Sequence, residues 1–279
     1  TLVSYAALGL SEGGGAAWTV GLGELCNSLW IGVDAFSTSA GWLLAQQNMT
    51  CAGSTWEPRV DRVGLDGALK KTWLFGDGGR PQLTPHGVFA LDPAKNQLLT
   101  IYGRSYEYTL GARVLDLTTG TIAAGQDLLP RATSPYEHQG LAFDGKRYGV
   151  LWQTRVSISE FRQWFQIYDP QAGWVGSAVA FAGPRYMMPP SLIWTGDGFM
   201  AAMMTVDGET TPLTEPTKLT AQLYSFSPTG QLRETFAVDS GPAAYPKLVW
   251  AGGKVALSWV RVISNVDRNQ QWLRYLSCP

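Results

Sequence analysis

The chain has 279 residues, Lys+Arg 21 against Asp+Glu 22, a formal net charge of -1 and only 15% charged residues. Balanced charge excludes the basic surplus of a nucleic-acid footprint. The 45% hydrophobic content excludes a disordered chain, and no run approaches the ~20 apolar residues of a membrane helix.

Taken in chain order, two phrases alternate. The first segment runs from Leu2 through a glycine-rich turn around Gly14 to Trp18, as strand, turn and strand. Residues 29–44 then give an apolar strand, a long connection and a second apolar strand at Gly41-Trp-Leu-Leu. A tight turn ending in Gly67 follows. The first phrase returns at 89–100, the tight turn at Gly120, and the first phrase again at 141–152, Leu-Ala-Phe-Asp-Gly-Lys-Arg-Tyr-Gly-Val-Leu-Trp. Gly173, residues 192–203, Gly230 and residues 248–259 continue the alternation, and 271–276 closes it as a last strand. The first phrase recurs at a step of about 51 to 60 residues and the second at about 53 to 57, the mark of a repeat architecture.

Two hairpins per repeat make four strands, here lettered A to D with A innermost. The pattern predicts an all-β fold, a five-bladed β-propeller of four-stranded blades in one domain over 1–279. The order is offset, with outer strands at the N-terminus and a C strand near the end. A ring closed by strands from both termini is therefore expected, which leaves no free sheet edge. A six-bladed ring is the alternative.

The phrases Leu192-Ile-Trp-Thr-Gly-Asp-Gly-Phe and Ser227-Pro-Thr-Gly-Gln-Leu resemble the degenerate propeller repeats of secreted or lipid-anchored proteins of myxobacteria-like bacteria. The resemblance spans most of the chain from Leu29 to Cys278. It implies the fold more than a function, because propellers host enzymes, lectins and scaffolds alike.

Blade lettering sorts the loops. The D–A and B–C loops share one face, and the B–C loops are long and unlike one another, so that face is the expected functional one. Cys26 and Cys51 both fall there, which makes a Cys26–Cys51 disulfide reasonable, with Cys278 left over; three buried thiols are the alternative. The chain begins at Thr1, which fits a removed signal segment or a trimmed start. With the low charge and the bridge, this suggests a secreted, periplasmic or surface-attached protein.

Both histidines of the chain, His86 and His138, occupy one repeat position at the end of a D–A loop. Tyr245 holds the matching position in a later blade, and Met187 and Met188 lie just before it in another. Imidazole with thioether neighbours would suit copper or another soft metal. The competing reading makes the histidines hydrogen-bonding groups and the methionines of 200–204 core filler. Catalysis is weakly indicated. The A strands carry no paired acids of the kind glycoside hydrolysis needs. Asp34, Asp92, Asp144 and Asp197 fall in A–B turns, and only Glu137 is an acid in a promising place. The aromatics point to binding: Trp56, Tyr106, Tyr108 and Trp164 sit in or beside C strands and B–C loops, where they would anchor a protein or peptide partner. A lectin-like, carbohydrate-binding role is the alternative, but a lectin would repeat one aromatic and polar set in each blade.

Overall fold

The computed structural model describes residues 2–10, 16–26, 33–50, 55–75, 88–104, 109–129, 136–156, 161–181, 190–206, 219–239, 241–251, 253–261 and 270–277. Among them are twenty-one β-strands and no helix. The fold class is all-β, a five-bladed β-propeller, as the repeats predict. The chain forms two compact units, Thr1–Arg131 and Ala132–Pro279.

In the first unit, β1 (Leu2–Leu10) and β2 (Ala16–Cys26) pair antiparallel as a two-stranded sheet. Then β3 (Val33–Thr38), β4 (Gly41–Thr50), β5 (Thr55–Val63) and β6 (Leu69–Leu74) form one blade in sequence order. The next blade holds β7 (Val88–Asp92), β8 (Gln97–Arg104), β9 (Thr109–Asp116) and β10 (Gln126–Leu129). In the second unit, β11 (Tyr136–Phe143), β12 (Tyr148–Arg155), β13 (Phe161–Asp169) and β14 (Gly173–Phe181) form a blade, followed by β15 (Ser191–Trp194), β16 (Phe199–Val206), β17 (Leu219–Phe226) and β18 (Leu232–Ala237). Its last sheet has three strands among the described residues, β19 (Ala243–Ala251), β20 (Lys254–Arg261) and β21 (Gln270–Ser277). Within each unit the first strands of consecutive blades touch: β3 meets β7, β11 meets β15, and β15 meets β19.

The cores lie between blades. Leu43, Val60, Trp73 and Phe75 pack on Phe89, Leu98 and Leu115 of the next sheet. Leu151, Phe165 and Phe181 pack on Phe199, Met203 and Phe226, with Phe165 stacked on Phe226 at 4.1 Å between ring centroids. Ala202, Leu223 and Val238 pack on Leu248, Leu257 and Trp259. A central strand therefore buries both of its faces, and Tyr148 through Gln153 are all buried. Such strands read as continuous apolar runs rather than alternations, which accounts for the low charge. Met203 and Met204 are buried on β16, so these two methionines are core side chains.

Polar side chains tie consecutive blades at the C–D turns. Trp73 Nε1 donates to Gly120 O at 3.1 Å and Arg62 Nη2 to Leu117 O at 3.3 Å. Arg147 Nη2 reaches Pro228 O at 3.4 Å in the second unit. Ser191 Oγ accepts from Leu248 N at 3.0 Å, joining two first strands.

The turns follow the predicted glycines. Gly67, Gly120, Gly173 and Gly230 all have positive φ at the C–D turns. Asp carboxylates fix many turns by accepting backbone N–H bonds: Asp116 Oδ1 accepts from Thr118 and Thr119, Asp169 Oδ1 from Gln171 and Ala172, and Asp92 Oδ1 from Ala94 and Lys95. These are the local bonds that make Asp a turn former. Asp92, Asp144 and Asp197 lie at A–B turns, but Asp34 does not. It sits inside β3, paired with Ala45, and the turn falls at 39–40 before Gly41. Gly41 sets this boundary: its φ is +123°, and a Cβ there would lie 2.2 Å from Val63 O.

Gly41→Ala should therefore destabilise by at least about 2 kcal/mol, from forbidden backbone geometry plus the clash. Gly253→Ala, at φ +80° with open space around it, should cost only about 1 kcal/mol. Denaturant titration of the two variants tests the ordering. The turn carboxylates set a pH response. The Thr119 and Thr118 N–H groups hold Asp116 below the ordinary carboxylate range, those of Gln171 and Ala172 do so for Asp169, and the Lys70 ammonium with Ala68 N–H does so for Asp66. Depressed folded-state pKa values stabilise above the unfolded carboxylate pKa near 3.9 and are lost as pH falls through the folded values. Melting temperature should be level above about pH 5 and fall below about pH 4, and Asp116→Asn should flatten part of that fall.

Candidate functional site

Trp164 and Tyr245 are the predicted binding residues whose side chains are described. Trp56 lies on β5 opposite Met49, and Glu137 and His138 lie on β11, in each case placed by backbone register alone. Tyr106, Tyr108, His86, Met187, Met188 and Cys51 lie outside the described residues, as does the side chain of Cys26. The expected soft-metal site and disulfide therefore rest on residues outside this description. Among the described residues no group of three or more His, Cys, Asp or Glu side chains converges to hold a metal.

In the second unit, the structure brings aromatic side chains together at the B–C end of two blades. Trp152 and Trp164 face each other across β12 and β13, with ring centroids 6.4 Å apart and planes within 12°. Trp259 and Trp272 occupy the same relation across β20 and β21, at 6.1 Å and 22°. The repeat alignment already equates Trp152 with Trp259, and the register now equates Trp164 with Trp272. Cross-strand aromatic pairs of this kind are worth about 0.5–1.5 kcal/mol beyond their buried area.

A guanidinium covers the C-strand tryptophan in both blades, from opposite strands. Arg162, two residues before Trp164 on β13, holds its Cζ 5.9 Å from that ring. Arg261, two residues after Trp259 on β20, holds its Cζ 5.8 Å from Trp272. Each Arg stands one row beyond its tryptophan pair on the same sheet face, where alternation along the strand puts it. The indole N–H groups find different acceptors. Trp164 Nε1 donates to Thr154 Oγ1 at 2.9 Å. Trp259 Nε1 donates to Asp239 Oδ2 at 3.1 Å, and Arg261 Nε lies 3.8 Å from the same oxygen. Asp239 belongs to the D–A connection after β18, and its Oδ1 accepts Gly241 N at 3.2 Å. The connection from one blade thus docks on the tryptophan pair of the next.

The inner strands β11 and β19 each carry a bulge at the same place. Glu137 pairs with Gln153 and Gly140 with Leu151, so one extra residue is inserted opposite Trp152. Ala244 pairs with Val260 and Lys247 with Ser258, so one is inserted opposite Trp259. His138 and Tyr245 therefore sit in equivalent bulges within strands, rather than at the ends of loops as expected. Bulges re-aim side chains and occur preferentially beside functional sites. Tyr245 has a φ of +52° and is 51% exposed, while Ala243 and Ala244 are fully buried.

Sequence reasoning missed Asp239, Arg162 and Arg261. Arg261 and Asp239 act through register across strands and a D–A connection, whereas Arg162, two residues from Trp164 on one strand, was within reach of strand alternation. It also missed a polar row, in which Glu137, Gln153 and Gln163 follow one another by backbone register across β11, β12 and β13. Gln153 and Gln163 are buried, and Gln163 Nε2 donates to Gln153 Oε1 at 3.4 Å. Trp272 is 41% exposed and Trp164 half-buried, so both C-strand rings are open to a ligand on one side while their B-strand partners are buried.

No known protein family matches the chain, and no curated protein is similar to it in sequence. Solved structures do resemble it. The catalytic domain of a Coprinopsis cinerea GH62 alpha-L-arabinofuranosidase has a TM-score of 0.56 at 7% identity, over 89% of this chain and 90% of that one. The Bacteroides ovatus Xyloglucan PUL GH43B has a TM-score of 0.51 at 13% identity, over 90% of this chain and 54% of that one. A Pyrococcus horikoshii acylaminoacyl peptidase is similar at 12% identity and a TM-score of 0.49, over 88% of this chain, which spans 38% of that one. At these identities the likeness shows the fold alone.

Proposed function

We propose that the protein is an extracytoplasmic binding or scaffolding propeller that uses its D–A/B–C loop face to hold a protein or peptide partner. The observation that carries this reading is the pair of tryptophan clusters at the B–C end of the second unit, each with an Arg over a half-open ring. Trp, Tyr and Arg are the residue types that dominate the energetics of protein interfaces. The two clusters also differ in their polar partners, Thr154 in one and Asp239 in the other. That asymmetry suits a single extended partner better than a ligand repeated blade by blade.

A carbohydrate ligand is the second reading, favoured by one feature. Trp272 is exposed beside a paired Arg261 and Asp239, a combination of flat apolar surface and polar groups that suits a sugar ring. The glycoside hydrolase propellers similar in fold act on carbohydrates by name, but their low identity lends that reading no further weight.

The immobilised protein should retain a stoichiometric partner protein from the secreted and envelope fraction of its native host. Trp272→Ala should weaken retention by about 2 kcal/mol, roughly 30-fold in affinity, as for an interface hot spot. Circular dichroism checks that the variant keeps its fold. Retention unchanged in Trp272→Ala and in Trp164→Ala would overturn the assignment of this face. Binding on a glycan array, with no protein retained, would favour the carbohydrate reading.

A further inference from the structure

We infer that Asp239 is the positioning residue of the Trp272 ring: its carboxylate, carried in on the D–A connection from the preceding blade, holds Arg261 in place and so sets how open that ring stands. Its value to the protein rests on the binding face proposed above, whatever the partner. The seat of Asp239 is fixed by the residue before it. Val238 N donates to Ala221 O at 2.8 Å, and Val238 belongs to the buried cluster of Leu248, Leu257 and Trp259. A carboxylate offers two acceptor oxygens, and Asp239 divides them. Oδ1 accepts from Gly241 N at 3.2 Å within the connection. Oδ2 accepts from Trp259 Nε1 at 3.1 Å and lies 3.8 Å from Arg261 Nε. The guanidinium is thereby held between the connection and the ring. A Cβ built on Gly241 would meet Arg261 Nη2 at 3.6 Å and Nε at 3.7 Å, and Arg261 Cζ lies 5.8 Å from the Trp272 ring centroid. The Asp239 side chain is 12% exposed and that of Arg261 40%, so the carboxylate is the fixed member of the pair and the guanidinium the movable one.

The ring alone would not keep Arg261 there. The attraction of an exposed guanidinium for an aromatic face is smaller than the rotamer entropy that a long Arg side chain loses when it is ordered. A preorganised carboxylate shifts that balance, because the bonds to Gly241 and Trp259 have already ordered it. The other tryptophan pair is built differently. Trp164 Nε1 donates to Thr154 Oγ1 on the adjacent strand of its own sheet. That indole bond stays within one blade, whereas the bond from Trp259 crosses to a connection from the blade before. Openness of the Trp272 ring therefore depends on how the preceding blade is seated, and openness of the Trp164 ring does not depend on such a bond.

The test uses the full chain labelled with 5-fluorotryptophan, with the fluorine signal of Trp272 assigned through Trp272→Phe. A neutral nitroxide in solution reads exposure as relaxation of that signal. No partner is added, so the outcome is independent of what the face binds, and failure of the binding face itself is read from partner retention instead. Arg261→Ala should raise the relaxation of the Trp272 signal by up to about twofold, the most that a residue already 41% exposed can gain. Asp239→Asn, left with one acceptor oxygen and no charge, should raise it equally. The double variant should add nothing further, because both changes remove the same cover. Circular dichroism checks the fold of each variant. Relaxation of Trp272 unchanged in folded Asp239→Asn overturns the positioning role, and so do two effects that add in the double variant, since a residue that only docks the connection would act apart from Arg261. If Asp239→Asn does not fold, the wild-type protein decides. The Arg261 Nε–H, assigned by its loss in Arg261→Ala, should exchange with solvent more slowly than that of the exposed Arg274, and equal exchange overturns the inference.

Discussion

The structure depends on one constraint: a blade here has two apolar faces and cannot satisfy either alone. Phe165 and Leu151 need Phe199 and Phe226 from the next sheet, just as Leu223 needs Leu257 and Trp259. Each fully buried side chain of that size is worth about 1.5–3 kcal/mol, whereas an isolated hairpin is marginal in water. Stability therefore resides in the contacts between consecutive blades. The polar ties from Arg62, Trp73 and Arg147 to the carbonyls of the following turn act on the same seam and set how far one blade can slide on the next. The neutral bond from Trp73 is worth only about 1 kcal/mol, and the charge-assisted ones from Arg62 and Arg147 about 1.5–3 kcal/mol each before solvent at the part-buried edge weakens them.

This constraint explains what was legible in the sequence. Faces that must meet a neighbour at a fixed period leave a fixed period of apolar strands, and turns that must reverse tightly leave Gly67, Gly120, Gly173 and Gly230 at matching places. The one misplaced turn is informative. In the blade of β3, the strand was expected to begin at Leu29 with Asp34 in its turn, by analogy with Asp92 and Asp144. The structure instead uses Gly41, whose mirror-region φ no other residue could replace, and Asp34 stays in the ladder. Backbone geometry outranked composition at that position.

The candidate site was only half legible, for a physical reason. A tryptophan is visible in a sequence, but its use depends on what stands across the ladder. Trp152 and Trp259 are buried while Trp164 and Trp272, of the same residue type, are half-open. The guanidinium that covers each half-open ring comes from β13 in one blade and from β20 in the other. Alternation along β13 could have found Arg162, but a pattern read along β21 cannot find Arg261, whose place is fixed by the neighbouring β20. Asp239 is harder still, because it acts across from one sheet to the next.

The bulges show how a repeat becomes asymmetric without losing its core. One inserted residue in β11 or β19 flips the side-chain alternation on the outer side of the bulge only. The inner part of β19 keeps Leu248 buried on Leu257, while Tyr245 is turned outward. Among the first strands, β3, β7 and β15 pair with their neighbours without such a shift. A blade scaffold common to all repeats can thus carry an exposed side chain, Tyr245, at a bulge that β19 shares with β11. Ala243, on the outer side of that bulge, and Trp259, opposite it, both belong to the interblade core, so the insertion re-aims Tyr245 without opening the seam.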